Sequence, residues 1–149
     1  MSFKEEIYKA CENHVNNRIN FLQKILNDLK DGAQNDAKSS AGDKHETSLS
    51  MMQLEQEKVR KQLNEAQEMN AILEKINPKI VSIKINKGSL IKTNIGYFYI
   101  AVALGKLKVG NEEIYSISLQ SPMAKKLLGL SLNDQTEMNS KKIIIQVIN

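Results

Sequence analysis

Residues 59–85 read VRKQLNEAQEMNAILEKINPKIVSIKI. Up to Leu73 the positions Val59, Leu63, Ala66, Asn70 and Leu73 alternate steps of four and three, the heptad spacing of a packed helix. Asn77-Pro78 then stops the helix, because proline disfavours helical backbone in the residue before it. Ile80–Ile85, directly after, has the apolar, β-branched composition of a strand. A module boundary therefore falls at 77/78, with helix before it and sheet after it.

Working back from Val59, the heptad continues through Gln56 and Met52 to Leu49. Earlier still, Ile7, Cys11, Val15, Ile19, Leu22, Leu26 and Leu29 also step by four and three. Between the stripes lies the polar stretch Asp31–Ser40. Neither helix can bury its narrow stripe alone, and packing the two antiparallel gives a hairpin. Helices of about 34 residues would each run roughly 50 Å. Gln56 and Asn70 fall on heptad core positions, where polar side chains fix register at some cost in stability. The same periodicity also suits a coiled coil between two chains. The small, polar residues midway favour a chain that doubles back.

Working forward, Ser89–Lys92, Gly96–Leu104, Leu107–Val109, Glu113–Leu119 and Lys142–Ile148 read as further strands. Asn86-Lys87-Gly88, Thr93-Asn94 and Gly110-Asn111 supply turns. Ser121-Pro122 reads as an N-cap followed by proline at the first helical position, so a short helix should run to Leu128 and end at Gly129. The expected fold is α+β. A coiled-coil hairpin over 1–77, with a tip near 38–47, precedes a small antiparallel sheet with one short helix over 78–149.

Composition narrows the function classes. The 149 residues are 41% hydrophobic and 26% charged, which suits a folded chain. The longest apolar run, Tyr97–Leu104, is too short to span a bilayer, and the first residues lack a signal-peptide pattern. A single cysteine excludes a disulfide framework and fits a reducing cytoplasm. Charge is uneven: residues 1–77 carry 11 Lys and Arg against 13 Asp and Glu, net −2. Residues 78–149 carry 10 against 4, net +6, which suits docking on an acidic protein or near nucleic acid.

Chemistry-bearing motifs are sparse. No glycine-rich phosphate loop, HExxH, CxxC or EF-hand loop is present. His14 and His45 have no metal-ligand spacing, and Cys11 belongs to an apolar stripe as a small core residue. A self-sufficient enzyme is not expected. One constellation stands out, Gly42-Asp43-Lys44-His45-Glu46 at the start of the second helix. Asp43 and Glu46 are three apart, so a helix puts both carboxylates on one face. That is also the capping-box spacing, and both charges suit the positive end of a helix. Mg²⁺ is commonly held by one or two carboxylates with water and substrate phosphates, so such a pair can complete a metal site in another protein.

In this order, a long hairpin, an acidic tip and a small sheet domain resemble the bacterial Gre transcript-cleavage factors, GreA and GreB. Gly42-Asp43-Lys44-His45-Glu46-Thr47 is similar to the family's Gly-Asp-x-x-Glu-Asn, with Asp43 and Glu46 on its acidic positions. Gly88-Ser89-Leu90-Ile91 looks like the family's Gly-Ser-x-Val entry to the sheet. Residues 116–129, SISLQSPMAKKLLG, resemble its Ile-Ser-x-x-Ser-Pro-x-x-x-x-Leu-Leu-Gly, and Asn133-Asp134 falls at the Gly-Asp that follows. After Glu46 the family tends to have Asn-Ala-Glu-Tyr, where this chain has Thr47-Ser48-Leu49-Ser50.

The resemblance implies an FKBP-like sheet domain and an accessory factor rather than an enzyme. Its partner would be bacterial RNA polymerase, whose secondary channel the arm enters. Asp43 and Glu46 would act there as catalytic and metal-holding residues on a Mg²⁺ that the polymerase supplies and shares. None would be held by the free protein. A backtracked nascent RNA 3′ end would be met only indirectly and cut by the polymerase's own centre. Ser121, Pro122, Lys125 and Lys126 would serve in docking. A cytoplasmic monomer, off the membrane, is expected. A channel regulator that does not cleave and a coiled-coil adaptor are the alternatives.

Overall fold

The computed structural model describes residues 1–39 and 43–149, with the side chains of all of these except 33–39 and 43–45. Two helices come first, α1 (Phe3–Ser39) and α2 (Asp43–Glu74). Then follow β1 (Leu90–Thr93), β2 (Gly96–Ala101), β3 (Gly105–Val109), β4 (Glu112–Ser118), α3 (Pro122–Leu127), β5 (Gln135–Met138) and β6 (Lys141–Ile148). Two compact units result: residues 14–70 form one, and residues 1–13 with 71–149 form the other. The division runs across both helices, where the sequence places it at 77/78.

In the unit of residues 14–70 the two helices pack along their heptad stripes. Leu22, Leu26, Val59 and Ala66 are buried together, flanked by Ile19, Ile25, Leu29 and Leu63. The helices run antiparallel. Gln56 Nε2 donates to the Leu29 carbonyl at 3.5 Å, and Gly32 lies against the tip of Met52. Gln56 is 8% exposed, and its amide oxygen accepts from Arg60 Nη2 at 3.2 Å. The polar heptad position is thus bonded at both ends of its amide, and a shift in register would break the bond that crosses to Leu29. Residues from Asp31 to Ser39, left open by the sequence, continue α1.

The other unit is built on a six-stranded sheet in the order β3-β4-β2-β1-β6-β5. β2 pairs β4 in parallel, and the remaining pairs are antiparallel, so the sheet is mixed rather than wholly antiparallel. The chain leaves β2, forms the edge strand β3, and hairpins back through Gly110 (φ +62°) so that β4 slots between β3 and β2. β2 is buried over its last four residues because both faces of the sheet are covered. One face carries Ile91, Phe98, Ile100, Ile143 and Ile145, closed over by Leu127 of α3 and by Ile85.

The opposite face meets the bases of the two long helices. The Phe3 ring packs edge-on against Tyr97 at 5.5 Å, and Cys11 Sγ lies 3.8 Å from Ser116 Oγ. Tyr8 donates its hydroxyl to the Leu73 carbonyl at 2.6 Å. Ile7, Cys11, Leu73, Tyr99 and Ile114 are all fully buried. These helix bases therefore complete the core of the sheet unit, which is why the units divide within the helices.

Two expectations about strands fail. Ile80–Ile85 is not a strand. Its backbone is held only at its ends: Ile80 N–H reaches the Asn77 carbonyl, and Ile85 bonds Gly129 and Leu130 beside α3. A strand over 135–138 was not expected, yet β5 forms there and turns into β6 through Asn139 and Ser140, both at positive φ.

Candidate functional site

Asp43 is the first residue of α2 and Glu46 lies one turn on. Glu46 is exposed to solvent. The Asp43 side chain, and with it the capping-box reading, lies outside the described residues, as do Gly42 and the side chains of Lys38, Lys44 and His45. Spacing of three on a helix sets the two acids on a common face. Such a pair offers oxygen donors, which suits Mg²⁺, but supplies too few to cage the ion unaided. Among the described residues no three of His, Cys, Asp and Glu gather to hold a metal. Two carboxylates so spaced could give an ion two of its ligands, the rest coming from water or phosphate oxygens.

Further along the arm, Lys58, Arg60 and Lys61 are exposed. Arg60 donates to Gln56 one turn before it on the same helix.

The second group of sequence-derived residues lies at α3. Ser121 sits at φ −66°, ψ 150° and its Oγ accepts from the Ala124 N–H at 3.1 Å, so it is the helix cap. Pro122 opens the helix with φ already fixed by its ring. Ala124 and Leu127 turn inward, leaving Pro122, Lys125 and Lys126 exposed. The Leu128 N–H bonds the Ala124 carbonyl at 2.9 Å, and Gly129 takes φ +82° to turn the chain toward Ile85. The Ser-Pro…Leu-Leu-Gly block thus folds as a short helical knob with two lysines and a proline outward.

Cys11 is no nucleophile here. Burial pushes its thiol up to about 11, with the Ser116 hydroxyl beside it. Its neighbour Tyr99 is fully buried, and burial drives its hydroxyl pKa upward too. Lys4, 5% exposed, donates from Nζ to the Ile80 carbonyl at 2.7 Å, and burial lowers its pKa. Sequence reasoning missed Lys4. A lysine three before a run of apolar helix positions gives no sign that its amine will tie down a segment 76 residues away. His14 is exposed. Among the described residues, no helix is long and apolar enough to cross a membrane.

No protein-family model matches the chain, and no curated protein matches it. Solved structures that are similar include two of the transcription factor Gfh1. GreA factor homolog 1 of Thermus thermophilus is 15% identical, covering 93% of this chain and 94% of that one, with a TM-score of 0.38. A structure of the transcription factor Gfh1 is 17% identical, covering 94% of each, with a TM-score of 0.39. Both matches run nearly the length of the chain.

Proposed function

We propose that this chain is a transcription factor that binds RNA polymerase, presents its helical arm in the secondary channel and stimulates Mg²⁺-dependent cleavage of backtracked RNA. The observation that carries this reading is the acid pair at the first turn of α2, at the end of the helix pair away from residues 14 and 70. A body of two bonded helices holds Glu46 outward in solvent, where it can only act on something brought to it. Asp43 and Glu46 would orient a hydrated ion, which when bound activates water and stabilises charge in phosphoryl chemistry. Pro122, Lys125 and Lys126 of the α3 knob would contact the rim of the channel. The motif order 42–47, 88–91 and 116–129 supports the partner.

The test is transcript cleavage. A stalled, backtracked complex of the cognate polymerase is given the protein and Mg²⁺, with an Asp43→Asn/Glu46→Gln double variant beside it. Short 3′ RNA fragments should appear only with the unaltered chain. Equal cleavage by the double variant would remove the acids from the mechanism.

A second reading rests on Thr47-Ser48-Leu49-Ser50, which replaces the acid and aromatic of the resembled motif. It makes the protein a channel regulator that does not cleave. Binding to polymerase without fragments would select it.

A further inference from the structure

The segment after Pro78 carries an unusual surface. Ile80 is 61% exposed, Val81 64% and Ile83 87%, and Leu132 at 54% joins them. Val81, Ile83, Leu132 and Ile148 line an open hollow of about 280 Å³. Scattered apolar residues on a surface are ordinary, but a contiguous cluster marks an interaction site. The cluster is also held in place. Lys4 grips the Ile80 carbonyl, and Ile85 bonds Gly129 and Leu130, so both ends of the segment are fixed while its apolar side chains face out. Little ordering entropy is left for a partner to supply.

The surrounding charge says what the partner carries. Residues 78–88 have three lysines, Lys79, Lys84 and Lys87, and no Asp or Glu. Lys79 and Lys84, both exposed, bracket the apolar residues directly. Two carboxylates lie near: Glu5 lines a neighbouring hollow with Val81 and Lys79, and Asp134 Oδ2 is already engaged in accepting the Ser131 N–H at 2.8 Å. The patch holds aliphatic side chains and no aromatic ring, so it offers no stacking platform for nucleic acid bases.

We propose that Val81, Ile83 and Leu132, flanked by Lys79 and Lys84, form a docking surface for an acidic protein segment that inserts an apolar side chain. Resting on the reading given under Proposed function, that segment belongs to the polymerase, and this surface is a contact separate from the α3 knob. Apolar insertion supplies the affinity and the lysines orient the encounter.

The experiment measures affinity of the full chain for cognate core polymerase at low and high salt. It compares the unaltered chain with Val81→Ser/Ile83→Ser and with Lys79→Glu/Lys84→Glu, all checked for unchanged melting. Both variants should lose about tenfold or more in affinity. Binding by the unaltered chain should weaken as salt rises. Should Val81→Ser/Ile83→Ser melt early, the charge-reversal pair carries the test alone. Variants that bind like the unaltered chain would overturn the docking surface and leave the polymerase reading standing. No binding by the unaltered chain would overturn both. Capture on vesicles of mixed phosphatidylcholine and phosphatidylserine, lost in Val81→Ser/Ile83→Ser, would also overturn it, by making the patch a lipid surface.

Discussion

Tyr99 offers a sharp test of how the sheet unit is held together. Its side chain is fully buried, and its hydroxyl finds no hydrogen-bond partner among the described residues. Leaving a buried hydroxyl unsatisfied costs about 1–3 kcal/mol. Tyr99→Phe removes that group and keeps the ring that fills the space between β2 and the helix bases. The oxygen vacates roughly 15 Å³, which at about 24 cal/mol per Å³ costs only ~0.4 kcal/mol. The substitution should therefore stabilise the protein by about 1–2 kcal/mol. For a chain of this size, that raises the melting temperature by roughly 2–8 °C. Urea denaturation followed by far-UV circular dichroism, with calorimetry beside it, reads both quantities. A loss of 1 kcal/mol or more would refute the reasoning. It would show that the hydroxyl is bonded in the folded state, as a buried water can arrange.

Three further outcomes follow from local chemistry. Ser121→Ala removes the cap of α3 and should cost about 1 kcal/mol by denaturant titration, with Ser121→Asn close to neutral. Cys11 has its pKa raised from 9.0 to about 11 by burial, so folding favours the protonated thiol. The stability it contributes is intact below pH 9 and is lost as pH climbs through 11, which denaturant midpoints across that window would report. Thiol reagents at pH 8 should label it only slowly until the protein is unfolded. Glu113→Gln breaks an exposed ion pair with Lys106 at 3.1 Å and should leave the denaturant midpoint unchanged, because both groups are solvated.

What the sequence discloses depends on whether the signal is local. The heptad stripes of both helices are repeated cues, and they place Leu22, Leu26, Val59 and Ala66 in one core. Ser121-Pro122 is a cap chemistry complete within four residues, and α3 starts where it says. Ile80–Ile85 misleads because composition records β-branching and not pairing. A strand needs a neighbour with free backbone groups, and this segment instead meets the turn after α3. β5 escapes because Gln135–Met138 lacks an apolar run, and its turn relies on Asn139 and Ser140 taking positive φ, which serine seldom does. The parallel pairing of β2 with β4 is a choice of topology to which no residue is committed. At the candidate site the spacing of Asp43 and Glu46 is visible in sequence. The docking patch is visible only once Ile80, Val81 and Ile83 are seen to face solvent.

The closure of the sheet by the helix bases bears on the order in which the chain acquires structure. Cys11 and Ser116 touch across 105 residues, and Lys4 meets Ile80 across 76. Closing such loops is entropically slow, and during synthesis the first thirteen residues emerge long before their partners exist. The helix pair between residues 14 and 70 closes shorter loops, 27 residues from Leu29 to Gln56, so it should form early and hold Ile7 and Cys11 uncovered. β4 then acts as the late arrival that seals them. Hydrogen exchange pulsed during refolding should protect the amides of residues 20–30 and 55–66 first, and those of residues 5–11 together with β4.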